Sequence, residues 1–135
     1  TMTINEFFEK DNFANHTGIK LLETGNGYAK ACMEIKPIHL NGGGVCQGGA
    51  IFTLADFTFA AAVNSHGQLT LSVTSNINFL KSESKGFLYA EAREVFYHKK
   101  LANCEVRIMN ESGDLISTFT ATGYRKDVLL PFDPL

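Results

Sequence analysis

Hydrophobic and polar residues alternate along the second half of the chain with a period of two. This period is typical of β-strands that bury one face. We therefore predict strands near residues 69–80, 87–97, 102–110 and 114–125. Turn residues separate them at Lys85-Gly86, His98-Lys99-Lys100 and Ser112-Gly113-Asp114. Because short turns join consecutive antiparallel strands, these four segments predict a meander.

The first half of the chain predicts a helix and a hairpin before a loop. Residues 3–12 show apolar positions at helical spacing behind a capping signal. Residues 18–35 predict two strands that turn at Gly25-Asn26-Gly27. A loop must follow, because Pro37 and the glycines at 42–44 interrupt any regular element.

The segment from Gly48 to about Ser65, GGAIFTLADFTFAAAVNS, is apolar on nearly every face. It is long enough for about five helical turns, and a helix of this kind is buried on all sides. Since no alternating βα units occur, the predicted class is α+β, with a curved antiparallel sheet wrapped around one long central apolar helix. We expect residues 1–135 to form a single domain.

One charged side chain interrupts this apolar helix. Between Lys36 and Lys81 the only Asp, Glu, Lys or Arg is Asp56. A buried carboxylate is unfavourable unless it is paired, and its pKa is often perturbed, which makes it a candidate general base or nucleophile. The alternative is a structural aspartate that accepts hydrogen bonds from Thr53, Thr58 or backbone groups.

The start of the helix offers a candidate oxyanion site. Gly48 and Gly49 leave backbone N–H groups accessible, and these donors and the helix dipole favour negative charge. Glycine is also common at helix starts for structural reasons alone. Asp56 lies about 12 Å further along the helix, whereas both groups must lie within about 3–4 Å of one carbonyl carbon. If both serve one reaction, Gly48 and Asp56 come from two antiparallel helices of a homodimer.

The stretch Asn41 to Asp56, N-G-G-G-V-C-Q-G-G-A-I-F-T-L-A-D, closely resembles a known signature. The PaaI-like hotdog acyl-CoA thioesterases have N-x-x-G-x-x-H-G-G-x-x-x-x-L-x-D, and every specified position matches except the His. Ser72 to Leu80, S-V-T-S-N-I-N-F-L, is similar to the strand that follows the helix in that family. The resemblance implies a hotdog fold, a homodimer or homotetramer, and hydrolysis of an acyl- or arylacetyl-CoA to free acid and CoA.

The resemblance also implies roles for individual residues. Asp56 would activate water or attack the thioester carbonyl, and the N–H of Gly48 would hold the oxyanion. Asn41 would orient the thioester, and Ser72 would help to place the water or the substrate. Gln47 replaces the usual His and can form hydrogen bonds but cannot titrate, so we expect an altered rate or specificity and not a loss of function.

Coenzyme A carries phosphates, so we expect basic residues at the mouth of the cleft. The alternative for each such residue is that it lies in a solvated turn and has no binding role. Phenylalanines of the helix and of the following strand could line an acyl pocket. The candidates for substrate binding are Gly49, Asn76, Phe79, Lys81, His98, Lys99 and Lys100. We expect no metal, because no His/Cys/Asp cluster has ligand spacing, and no cofactor other than the coenzyme A of the substrate.

Three other functions remain as alternatives. Cys46 could form a nucleophilic pair with His39 or His66, although nothing in the sequence places these residues together. A hotdog dehydratase would usually need a His base, which Gln47 does not supply. A non-catalytic acyl-CoA-binding or sensing module would keep the fold but could dispense with Asp56.

Composition restricts the setting of the protein. The formal net charge of −2 argues against nucleic-acid binding driven by overall charge. Three cysteines without paired spacing favour a reducing, cytoplasmic location. No apolar run reaches the roughly 18 residues of a membrane span, and no signal-peptide pattern is present, so we expect no membrane partner.

Overall fold

A six-stranded antiparallel sheet curves around one long helix in the computed structural model, which describes residues 1–135. This is the hotdog arrangement and confirms the α+β class. The helices are α1 (Ile4–Phe8), α2 (Asn12–Thr17) and α3 (Gly48–Val63). The strands are β1 (Ile19–Gly25), β2 (Tyr28–Glu34), β3 (Gln68–Phe79), β4 (Phe87–Tyr97), β5 (Leu101–Asn110) and β6 (Leu115–Leu129). Short 3₁₀ turns cover Pro37–His39 and Asn64–His66.

The N-terminal segment forms two short helices, so the prediction of one helix over residues 3–12 is wrong. The side chain of Thr3 accepts a hydrogen bond from the N–H of Glu6 and begins α1. The carboxylate of Asp11 then accepts the N–H of Ala14 at 3.0 Å and begins α2. Gly18 ends α2 in the left-handed conformation, with φ 87°. An aspartate that caps a new helix therefore interrupts the predicted one.

The strand order is β1-β2-β4-β5-β6-β3, so the predicted four-stranded meander is wrong for β3. β3 pairs with β6 at the edge of the sheet, and β4 pairs with β2. The segment between β3 and β4 passes over the start of α3, where the N–H of Cys46 donates to the carbonyl of Glu83 at 2.8 Å. This crossing carries the chain from one edge of the sheet to its middle.

The core lies between α3 and the concave face of the sheet. Small residues face the helix on two neighbouring strands and are fully buried: Ala29 and Ala31 of β2, and Ala90 and Ala92 of β4. Their size lets α3 approach the sheet closely. The alternation predicted for β5 is confirmed, because Cys104, Val106 and Ile108 are buried. None of the helices is both long and apolar enough to cross a membrane.

Candidate active site

Asp56 lies midway along α3 and is half-buried. Its carboxylate forms no hydrogen bond or salt bridge within the chain. Thr53 and Thr58, which the structural alternative required as donors, donate instead to helix carbonyls, to Gly49 at 2.8 Å and to Leu54 at 2.6 Å. The threonines are therefore not partners of Asp56, and this carboxylate remains free to contact a ligand.

Burial of this carboxyl group raises the pKa of Asp56, and the negative charge of Asp11 raises it further. Asp11 belongs to the N-terminal cap of α2, so the packing of α2 against α3 places two carboxyl groups near each other. A carboxylate that is poorly solvated and lacks a cationic partner is a stronger base than one in water. This electrostatic setting suits proton abstraction from water.

The start of α3 presents free backbone donors. Gln47 caps the helix in an extended conformation but forms no side-chain capping bond. Its carbonyl accepts the N–H groups of Ala50 and Ile51, whereas those of Gly48 and Gly49 have no partner. Two unpaired N–H groups at the positive end of a helix dipole form a site for an anionic oxygen.

Two side chains pack against the glycines at the helix start. A Cβ atom at Gly48 would lie 2.9 Å from the ring of Phe79, and one at Gly49 would lie 2.7 Å from Oε1 of Gln47. An open cavity of about 330 Å³ adjoins this point. It brings together three of the predicted site residues and is lined by Val45, Cys46, Gly48, Ile51, Phe79, Leu80, Lys81 and Ser82.

Asn41 stabilises the loop that leads into α3. Its Oδ1 accepts the N–H of Gly43 at 2.9 Å and that of Val45 at 3.2 Å, so the side chain closes its own turn. The Nδ2 group donates no hydrogen bond within the chain and remains available as a donor. The side chain of Gln47 likewise forms no hydrogen bond within the chain. Both amides are exposed beside the free donors of α3.

The register of β3 separates two predicted site residues. Ser72 pairs with Gly123, which packs against Phe59, and therefore faces α3. Asn76 pairs with Thr120, which is exposed on the opposite face of the sheet. A bulge between Ser72 and Thr74 causes the difference, because one extra residue reverses the direction of every later side chain. Within one chain, Asn76 therefore points away from α3, the helix that carries Asp56.

The predicted basic residues do not form one patch within a chain. Lys81 lies near the start of α3, where its Nζ is 2.5 Å from Oδ2 of Asp114. The turn of residues 98–100 lies at the other end, because Arg125 donates both to the carbonyl of His98 and to that of Val63. The 16 residues of α3 separate the two ends by about 24 Å.

No cysteine–histidine pair is present. Burial raises the pKa of the Cys46 thiol to about 11, so the thiol stays protonated at neutral pH. Nε2 of His39 lies 2.7 Å from the carbonyl of Thr17, and Nε2 of His66 lies 2.8 Å from the carboxylate of Glu94. Each candidate histidine is therefore engaged elsewhere.

Residues 43–117 match the family model of the thioesterase superfamily. The chain belongs to this superfamily. A protein of Archaeoglobus fulgidus is 40% identical over 119 residues, which are 87% of this chain and 77% of that protein. The acyl-coenzyme A thioesterase PaaI of Escherichia coli is 30% identical over 119 residues, which are 87% of this chain and 85% of that protein. The structure of the E. coli PaaI protein superimposes with a TM-score of 0.89 at 28% identity, covering 92% of this chain and 91% of that one. The chain is accordingly a thioester hydrolase.

The structure gives two residues of this thioesterase, Asp11 and His39, roles that the sequence did not indicate. Asp11 was counted within a helix, although an aspartate two residues before an apolar residue is a usual helix cap. His39 was assigned no role beyond the pair with Cys46, yet it is 5% exposed and has both ring nitrogens in hydrogen bonds. Only its position between a proline and Asn41 could have indicated a structural role in the loop.

Proposed function

We propose that this thioesterase hydrolyses an acyl- or arylacetyl-CoA to the free acid and CoA, with Asp56 as general base or nucleophile. The observation that carries the proposal is a half-buried carboxylate with no partner in the chain, on the same helix as two free N–H donors. The name of the E. coli relative, an acyl-coenzyme A thioesterase, supports coenzyme A as the leaving group. Three buried free cysteines suit a reducing cytoplasm.

The distance between Asp56 and Gly48 supports a site shared by two subunits. Eight residues of helix separate them by about 12 Å, too far for both to act on one carbonyl. Two copies of α3 running antiparallel across a two-fold axis would bring Asp56 of each chain next to Gly48 of the other. We therefore propose a homodimer with two shared sites, which a second dimer could extend to a homotetramer.

The edge strand β3 supports this pairing. Its 12 residues contain no charge and no proline, and its Leu71 and Val73 are 51% and 65% exposed. Natural sheets usually protect an edge with charges, proline or a covering element, and an unprotected edge is suited to pair with another strand. Pairing β3 with β3 of a second copy would continue the sheet across the dimer.

In the proposed reaction, the carboxylate of Asp56 takes a proton from water while the water oxygen bonds to the thioester carbon. The carbonyl oxygen becomes an oxyanion, which the N–H of Gly48 from the other subunit stabilises. When the carbonyl re-forms, the C–S bond breaks and the CoA thiolate takes up the proton from Asp56. If Asp56 instead attacks the carbonyl, the C–S bond breaks, the CoA thiolate leaves and a mixed anhydride forms. Water then hydrolyses the anhydride to the free acid and Asp56, and the proton released from the water goes to the thiolate.

The neighbouring amides would position the thioester. Nδ2 of Asn41 and the side chain of Gln47 are free within the chain and lie at the start of α3. Gln47 can donate to a carbonyl or accept from an amide of the pantetheine arm, but it cannot supply a proton by titration. Ser72 faces α3 from β3 and could hold the attacking water.

Hydrolysis of a panel of acyl-CoAs, followed as released thiol, tests the proposal. We expect Asp56→Asn to lower kcat by a factor of about 10² or more in a protein that remains dimeric by size-exclusion chromatography. Asp133→Asn, in the exposed C-terminal segment, is the matched control and should retain wild-type turnover. Unchanged turnover in Asp56→Asn would contradict the role of Asp56. A wild-type protein that binds acyl-CoAs but hydrolyses none would be the non-catalytic binding module.

A further inference from the structure

His39 occupies a buried position between α2 and the loop that leads into α3. Its side chain is 5% exposed and contacts two different segments. Nδ1 accepts the backbone N–H of Lys36 at 2.8 Å, and Nε2 lies 2.7 Å from the carbonyl oxygen of Thr17. Thr17 is the last residue of α2, and its carbonyl has no partner within that short helix.

These contacts determine the tautomer of the imidazole. Nδ1 faces a backbone donor and must act as the acceptor, so the ring proton lies on Nε2 and points to the carbonyl of Thr17. The neutral ring thus satisfies both groups at once. A buried polar side chain with both hydrogen bonds formed fixes the relative positions of the groups it joins.

The backbone of His39 extends the connection to α3. Its carbonyl accepts the N–H of Gln47 at 2.7 Å, and Gln47 is the N-terminal cap residue of α3. The next residue, Leu40, pairs with Cys46 across the base of the loop. The imidazole therefore connects this loop to α2. The loop carries Asn41, Gln47 and the free N–H of Gly48.

We propose that His39 is a positioning residue for thioester hydrolysis: its Nε2–H bond to Thr17 holds the Asn41–Gly48 loop at the distance from α2 that the reaction requires. This inference rests on the proposed function. Asp11, which caps α2, acts through its charge on Asp56. In the proposed dimer, Asp56 and the Asn41–Gly48 loop of one chain serve the two different shared sites, so His39 connects the parts of the chain that contribute to each site. A displacement of about 1 Å at such a loop can lower turnover by about 10²-fold without removing any reacting group.

Two substitutions each remove one of the two side-chain hydrogen bonds of His39 and keep the other. His39→Asn places an amide oxygen near the Nδ1 position, so it keeps the bond to Lys36 but cannot reach Thr17. His39→Gln places an amide N–H near the Nε2 position, so it keeps the bond to Thr17 and loses the local acceptor. His66→Gln is the matched control, because His66 is a largely buried histidine beyond the other end of α3 that bonds to Glu94.

We expect kcat to fall by about 10- to 100-fold in His39→Asn with a smaller change in KM, and His39→Gln to stay within about threefold of the wild type. Amide hydrogen exchange provides a readout that does not require catalysis. The amides of Val45 and Gln47 should exchange about tenfold faster in His39→Asn than in the wild type, and at nearly the wild-type rate in His39→Gln. His66→Gln should leave both the turnover and these amides unchanged.

Turnover and loop exchange in His39→Asn equal to those in His66→Gln would overturn the positioning role. If His39→Asn does not fold, His39→Gln decides alone: wild-type protection of the loop supports the inference, and a tenfold loss of protection overturns it. A wild type that hydrolyses no acyl-CoA would refute the proposed function, while the exchange rates would still decide whether His39 holds the loop.

Discussion

Asp11 influences the carboxyl group of Asp56, although the two residues are distant in sequence. Burial is the larger cause of the raised pKa of Asp56, and the charge of Asp11 is the smaller one. A general base acts only when it is ionised, so hydrolysis should weaken as the pH falls through this raised pKa. The contribution of Asp11 moves that loss of activity toward higher pH.

Asp11→Asn should therefore shift the acid limb of the pH profile of kcat/KM to lower pH. Asparagine caps a helix about as well as aspartate, so α2 should be preserved while the negative charge near Asp56 disappears. The measurement is hydrolysis of one acyl-CoA over a pH series, with Glu9→Gln as a neighbouring charge control. An acid limb that stays in place, or moves to higher pH, would show that Asp11 does not influence the active base.

At the scale of single residues, the sequence predicts a functional residue best where its polarity differs from that of its neighbours. Asp56 was found because it is the only charged residue between Lys36 and Lys81. The outward direction of Asn76 could not be predicted, because the bulge after Ser72 leaves no signal in the alternating pattern of β3. The influence of Asp11 could not be predicted, since it depends on how α2 packs against α3.

At the scale of one element, α3 combines structural and chemical requirements at its first residue. The ring of Phe79 lies against Gly48, and the N–H of Gly48 must be free for it to hold an oxyanion. These two features can be separated, because alanine adds a Cβ but keeps the N–H, whereas proline removes the N–H. Proline suits the first position of a helix, and the extended conformation of Gln47, with φ −65° and ψ 141°, suits a residue before proline.

We expect Gly48→Pro to lower kcat by about 10²- to 10³-fold, as the loss of one oxyanion donor does in other acyl transfers. Gly48→Ala should be affected much less, because the ring of Phe79 is 54% exposed and can move away from the new Cβ. Steady-state kinetics and far-UV circular dichroism of both variants make the comparison. Equal losses in the two variants would indicate that the space at Gly48 matters and its N–H does not.

At the scale of the whole molecule, the sequence predicts where each strand lies along the chain better than which strands pair in the sheet. Every strand lies close to its predicted range, because the alternation of apolar residues is a local property. The partner of β3 was wrong, since consecutive strands usually pair and only the crossing of residues 80–86 over α3 prevents it here. The same crossing leaves β3 at the edge, where a second copy can pair with it.

A shared site predicts that two inactive chains can restore activity in one dimer. If each site takes Asp56 from one subunit and Gly48 from the other, a heterodimer of Asp56→Asn and Gly48→Pro chains has one site with both changes and one site with neither. Such heterodimers, isolated through two different affinity tags, should show about half the wild-type kcat per dimer, because one of two sites is intact. Homodimers of each variant, carrying the same tags, set the background. Sites built within single chains would leave the heterodimer as inactive as its parents, and a monomeric protein would yield no doubly tagged species at all.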